Sequence, residues 1–446
     1  MTVDLLLTDA KAYTKGKLRD CSIAINEGKI FKIGKQTNMP KAESTIGLKS
    51  LLVLPGIIDA HVHLRDEGKA YKEDFYSGTA AAAAGGITTV LDMPNNAPVT
   101  MSAVTLRNRM EIAKKKVLVN VAFYSEFPKK KDEIGNIVKE GALGFKLFMV
   151  EQVGGLDIGD DNALFEAFKI VESLQVPVAV HAEDEATIEA TRTALERTNG
   201  NDVEAFLKAH SVRAEEIAIK RLLNIAEKTG VRTHFCHVST RNGLKAIVDG
   251  KKLGLPVTCE VTPHHLLLSV EDLRQIGSTA IMLPPLREEE HIIALWNGIK
   301  NEQVDTIGSD HAPHTLEEKI NDVVWNVKVG IPGLETLLPL LLTEVNRGRL
   351  TIAELVRLTA EEPAAIFNLK DRGKIAEGNH ADLTVVDLKR KYAIDASMFQ
   401  SKAKYSPFNQ WNARGRAVKT FVNGQAVMDE DEIIGEAVCG DIVQRG

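Results

Sequence analysis

The stretch Leu51-Leu-Val-Leu-Pro-Gly-Ile-Ile-Asp59, continuing as Ala60-His-Val-His-Leu-Arg65, is a dense apolar run that ends in a cluster of polar side chains. A run this apolar and β-branched reads as a strand covered on both faces, the form strands take in parallel sheets. Comparable runs recur at Gly86 to Met93, Val117 to Phe123, Ala142 to Phe148, Val176 to Val180, Val231 to Cys236, Pro256 to Val261 and Asp305 to Ile307. Helical patterns separate most of them, as in Glu166 to Ser173 and Ala214 to Lys228. Eight such units over roughly 320 residues predict an α/β fold, a (β/α)8 barrel of the TIM type. A doubly wound open sheet is the other solution, but no glycine-rich nucleotide fingerprint follows the first strand.

Outside this region the pattern changes to short alternating segments with turn signals. Asp4 to Leu7, Ser22 to Asn26 and Lys29 to Ile33 lie near one end, and Ala381 to Asp387 and Ala417 to Val427 near the other. Asn423-Gly424 is the signature of a type I′ hairpin turn. The two ends are therefore expected to build one small β-sandwich domain, residues 1–53 with 376–446, beside a barrel domain at 54–375. The alanine run Ala80 to Ala84, stopped by Gly85-Gly86, reads as a helix core with a glycine terminus.

A chain of 446 residues that is 44% hydrophobic and 26% charged can bury a large core. Its net charge of −6 speaks against nucleic acid or an acidic membrane as the main partner. The lysine clusters at 114–116 and 129–131 read as solvated helix ends and loops. No apolar stretch reaches membrane-spanning length, and Asp4 stands where a signal peptide carries basic residues, so a cytoplasmic location is expected. Cys21, Cys236, Cys259 and Cys439 are scattered without a CxxC pair, which excludes a cysteine-rich zinc module and a disulfide scaffold.

Chemistry in a barrel sits at the C-terminal ends of the strands. His61 and His63 follow the first strand, two apart and so on one face, where both can reach one ion. Lys146 lies within the fourth, His181 ends the fifth, His234 and His237 flank the end of the sixth, and Asp310 follows the eighth. Each has a plain reading alone: a chance pair on a surface strand, a satisfied core histidine, an aspartate capping a turn. Lys146 is the misfit, because an ammonium in an apolar strand must be paired, modified or exposed. Their coincidence at strand ends 1, 4, 5, 6 and 8 points to a metal site.

The order HxH, Lys, His, His, Asp on a barrel with a terminal sandwich resembles the amidohydrolase superfamily, in its cyclic-amidase branch. Within that branch the likeness is to the dihydroorotases, carried by His61-Val-His-Leu-Arg65, Asp92-Met-Pro-Asn-Asn96, Val261-Thr-Pro-His-His-Leu266, Pro284-Pro-Leu-Arg287, Ser309-Asp-His-Ala-Pro-His-Thr315 and Gly333-Leu-Glu-Thr336. The resemblance implies two zinc ions per subunit. His61, His63 and Asp310 would hold one, His181 and His237 the other, and an N6-carboxylated Lys146 would bridge them. A carbamate carries the negative oxygens that a cationic lysine lacks. The resemblance further implies a water activated between the metals and Asp310 as proton shuttle. It places Arg65, Asn95, His314 and Gly330 in the substrate-binding set, Arg65 being suited to a carboxylate. Arg65 pairing with a surface acid, Asn95 capping a turn and His314 capping a helix are the plain alternatives.

The implied reaction is the reversible cyclisation of N-carbamoyl-L-aspartate to dihydroorotate and water, in pyrimidine biosynthesis. Small-molecule substrate, homo-oligomeric assembly and a partner enzyme of that pathway are the expected associations. Two departures stand out. Phe148-Met-Val-Glu151 lacks the bridging Asp that many bacterial dihydroorotases carry after the fourth strand, which favours Lys146. Leu283 stands where the family has an Asn that contacts the substrate ring, a feature shared with allantoinases and dihydropyrimidinases. Those relatives typically lack the Arg65 equivalent, so Arg65 with Asn95 favours the carboxylated ring. A neutral cyclic ureide is the rival substrate, and a catalytically inactive scaffold the rival class. His264 and His265 are adjacent and expected to point apart, one packing behind the metal ligands; His210, His291 and His380 are expected to be structural.

Overall fold

Gly56 divides the first apolar run in two. Leu52–Pro55 joins a sheet made by the chain ends, and Ile57–Val62 opens the barrel. A Cβ on Gly56 would lie 2.1 Å from the Thr88 hydroxyl, so the crossing between the two sheets requires glycine. The computed structural model describes residues 2–445. In it eight parallel strands hydrogen-bond in chain order: Ile57–Val62, Ile87–Asp92, Asn120–Glu126, Gly144–Phe148, Val178–His181, Thr233–Phe235, Val257–Val261 and Thr306–Ile307. The eighth meets the first through the segment just beyond it. His311 bridges Val62, and the His63 amide donates to the His311 carbonyl at 2.8 Å. All eight predicted strands and the helical pattern between them are present.

Alternation along the strands sorts the side chains. Ile57, Val90, Val121, Val178 and Phe235 pack outward against helix residues such as Leu106, Phe168 and Leu222. Ile58, Ala60, Leu91, Ala122, Tyr124 and Ala179 form a separate cluster with Phe367, filling the barrel interior. The chain ends form one nine-stranded sheet, joined where Leu52–Pro55 pairs antiparallel with Leu383–Ala393. The expected union of the two ends thus takes the form of a single hydrogen-bonded sheet. Asn423 and Gly424 have φ of 48° and 78°, the left-handed pair a type I′ turn needs between Asn412–Val422 and Gln425–Asp429. Among the described residues no helix is long and apolar enough to cross a membrane.

Candidate active site

The side chains singled out at strand ends converge. His61 Nε2 and His63 Nε2 each lie 3.2 Å from the same Asp310 oxygen. Their other ring nitrogens are committed: His61 Nδ1 to Glu260 at 2.8 Å, and His63 Nδ1 to the Asn95 side-chain oxygen at 2.7 Å. An amide oxygen can only accept, as does Glu260 in its ionised form, so Nδ1 then carries the proton in both rings and Nε2 is left as a lone-pair donor. His181 is fixed the other way round, its Nε2 donating to Glu183 at 2.8 Å, which leaves Nδ1. The His237 ring lies 4.5 Å from that of His181 and 5.1 Å from that of His61, centroid to centroid. His237 and Asp310 sit just past their strands with φ of 36° and 46°, and Arg65 has 61°. Left-handed backbone at three non-glycine positions is strain of the sort that persists at functional sites.

This donor set fits a metal centre. Burial holds His61, His63 and His237 well below the ordinary imidazole value, helped by Lys146 beside His61, Arg65 beside His63 and His181 beside His237. The rings are thus neutral, as ligation requires. His237 Nδ1 is buried with no hydrogen-bond partner. Lys146 is fully buried, its ammonium 3.2 Å from the Cys236 thiol and 5.0 Å from the Phe148 ring. Neither is an ion-pair partner of the kind that offsets the burial of an ammonium. His61, His63 and Asp310 bring their ligand atoms within 4.8 Å of one another, as do His61, Cys236 and Glu260.

Behind the rings stand groups that sequence reasoning did not assign. Glu260 meets the His61 ring at Nδ1 and also accepts from the His237 amide, and burial pushes its carboxyl up to about 8. Glu183 joins His181 to His210, whose Nδ1 lies at 3.2 Å. Burial would raise Glu183, but His210 and the His181 hydrogen bond hold it far below the usual carboxylate range. His210, expected to be structural, is therefore part of the support of His181. His264 and His265 are both buried in the short helix Pro263–Leu267; His265 bridges Thr262 and the Pro284 carbonyl, and His264 Nε2 is unpartnered. His234 bonds Thr258 and stacks edge-on against Phe367.

A cavity of about 80 Å³ opens onto these groups, lined also by Arg65, Asn95, Phe148, Leu283, Val329 and Gly330. Arg65 is buried there with its Nε unpartnered. Asn95, having given its oxygen to His63, keeps its amide donors free for the cavity. His314 meets the cavity wall through Val329. Its Nε2 meets the Val329 carbonyl at 3.0 Å and its Nδ1 the Lys72 ammonium at 3.0 Å, and it does not line the cavity. With both nitrogens committed, it supports the wall that Val329 contributes.

Comparisons with known proteins agree with this geometry. The model of the amidohydrolase family matches residues 52–427. A dihydroorotase of Methanosphaera stadtmanae is 37% identical over 414 residues, covering 92% of this chain and 94% of that protein. One from Pyrococcus horikoshii is 38% identical over 446 residues, covering all of this chain and 96% of that protein. Among solved structures, an L-hydantoinase from Arthrobacter aurescens superposes with a TM-score of 0.96 at 33% identity, covering 99% of this chain and 100% of that one.

Proposed function

Because the chain belongs to the amidohydrolase family, we propose that it is a metal-dependent cyclic amidohydrolase whose substrate ring bears a carboxylate, namely a dihydroorotase. The observation that carries this reading is Arg65, a buried guanidinium with an unspent donor, lining the same cavity as the histidine cluster. Burying a cation without an acceptor is unfavourable, and a planar carboxylate matches its fork. The dihydroorotase relatives support the same choice.

In this reading His61, His63, His181, His237, Asp310 and Lys146 in its carboxylated form would hold two zinc ions. When bound, such a pair supplies Lewis-acid polarisation of a carbonyl oxygen and a lowered pKa for water. The protein's own groups do the rest. Arg65 and the Asn95 amide bind the ring carboxylate and so fix which carbonyl faces the metal cluster. Asp310 holds the proton that moves to the ring nitrogen on opening, and takes it from the ureido nitrogen on closing. Glu260, Asn95 and Glu183 keep His61, His63 and His181 in the tautomers that ligate.

A second reading rests on Leu283, an apolar side chain in the cavity wall, and on the likeness to an L-hydantoinase: the substrate would then be a neutral cyclic ureide. Assay of the zinc-loaded protein for interconversion of carbamoyl aspartate and dihydroorotate, beside hydantoins and allantoin, separates the two. Turnover of dihydroorotate is expected; turnover confined to neutral rings would establish the second reading.

A further inference from the structure

Lys319 is fully buried, yet no carboxylate meets it. Its ammonium donates to three backbone carbonyls, those of Ile281 at 2.7 Å, Lys328 at 2.9 Å and Gly330 at 3.0 Å. Three N–H groups meeting three acceptors use the full donor capacity of a lysine. The segments so joined come from opposite sides of the intervening helix Glu289–Lys300 and eighth strand, and they carry Leu283, Val329 and Gly330 of the cavity wall. The Gly330 amide also donates to the Ile281 carbonyl at 3.0 Å, so the two segments touch where Lys319 grips them. Lys319 ends the short helix Leu316–Lys319, which a reciprocal Thr315–Glu318 capping box holds at its start.

We propose that Lys319 is a positioning residue for substrate binding, its ammonium setting the spacing of the 281–283 and 328–330 segments that form the ring-facing wall. Burial alone pulls this lysine down to about 7, and the three carbonyls are what its charged form has to hold the proton. An apolar residue of the same length would fill the space without that cost, so space-filling does not account for the lysine. Gly330 makes the spacing critical. Its φ is 128°, and a Cβ there would stand 2.5 Å from the Ala312 carbonyl, so the wall has little slack.

The inference rests on the cyclic-amide reading of the cavity, and its test is separable from that reading. Zinc-loaded wild type, Lys319→Met and Lys319→Arg are compared for KM, kcat, bound metal and amide hydrogen exchange without substrate. For Lys319→Met, KM is expected to rise at least tenfold with kcat within threefold and metal content unchanged. Exchange over 281–287 and 328–333 should quicken at least tenfold while the barrel strands stay protected. Lys319→Arg keeps the charge but presents a planar fork, so a threefold or larger rise in KM with quicker exchange in the same segments is expected. Unchanged exchange in both segments, or an unchanged KM, in either folded variant overturns the proposal. So does failure of both variants to fold, which would make Lys319 a brace of the whole domain. If wild type opens hydantoins and not dihydroorotate, the substrate reading fails and the same KM and exchange comparison is made on the hydantoin.

Discussion

At the scale of single residues, Arg65 separates the two candidate substrate classes. A hydrogen bond to a charged partner is worth about 1.5–3 kcal/mol, or roughly 10- to 100-fold in affinity. Arg65→Ala is expected to raise KM for dihydroorotate by that factor while KM for any neutral ring and the bound metal stay unchanged. An equal loss on both ring types, in steady-state kinetics with metal analysis, would end its role as carboxylate clamp. Asp310 is the proton carrier in the proposed reaction, and a positioned acid or base contributes typically 10²- to 10⁴-fold. Asp310→Asn should lower kcat by at least a hundredfold in single-turnover measurements. A rate within tenfold of wild type would assign the proton to another group. His61, His63 and Lys146 were legible in the sequence because spacing and polarity mark them locally. Glu260, 199 residues from the ring it orients, and Glu183 with His210 were not, since a second partner for an imidazole is fixed only by tertiary contact. The setting of His314 was not legible for the same reason: Lys72, which meets its Nδ1, lies 242 residues away.

At the scale of elements, strand periodicity located all eight barrel strands but not their ends. The third strand was expected at Val117 to Phe123 and runs Asn120–Glu126. Val117 is instead taken up by the C-terminal segment, its carbonyl accepting from the Val438 and Gly440 amides. Apolar character cannot distinguish pairing within the barrel from cover by a distant tail. Asp382 is where the terminal sheet is fastened to the barrel. It pairs with buried Arg372, accepts from the Asn423 amide at 2.8 Å and from the Asn120 side chain at 3.2 Å, and its carbonyl takes the Gly56 amide at 2.8 Å. Removing one partner of a buried ion pair costs about 3–5 kcal/mol because the other charge stays behind. Asp382→Ala is therefore expected to lower the thermal midpoint by several degrees with kcat within twofold of wild type. A midpoint unchanged in scanning calorimetry would show that the sheet is held by its other contacts.

At the scale of the whole molecule, the barrel gathers ionisable groups into its interior in two opposing sets, and their balance sets how stability responds to pH. Eight buried histidines are depressed below the ordinary imidazole value chiefly by burial: His61, His63, His237 and His264 well below it, His234 to about 3, His265 to about 4, His314 to about 2, and His291. Between their folded values and about 6.5 the unfolded chain binds protons that the folded chain refuses. Their contribution to stability is complete above 6.5 and is lost as pH falls. Five acids run the other way: desolvation raises Asp92, Asp59 to about 7, and Glu126, Glu260 and the partly exposed Glu335 to about 8. The folded chain keeps their protons after the unfolded chain has lost them, so their contribution is complete below about 4 and is lost as pH rises through 7 to 8. The histidines outnumber the acids below 6.5; above it the acids outnumber Lys319, which burial lowers to about 7 and which acts in the histidines' direction. Metal-free protein should therefore be most stable near pH 6.5, taking up protons on unfolding below that point and releasing them above it. In the proposed reading zinc would bind only the folded set, so loading the protein should raise its stability, by about 2.7 kcal/mol at a hundredfold excess over Kd. Its gain should shrink in acid, where protons compete for the same imidazoles. Calorimetric unfolding at pH 5, 6.5 and 8, in buffers of different ionisation enthalpy, measures both quantities; proton release at pH 5, or stability still rising from 6.5 to 8, would contradict this balance.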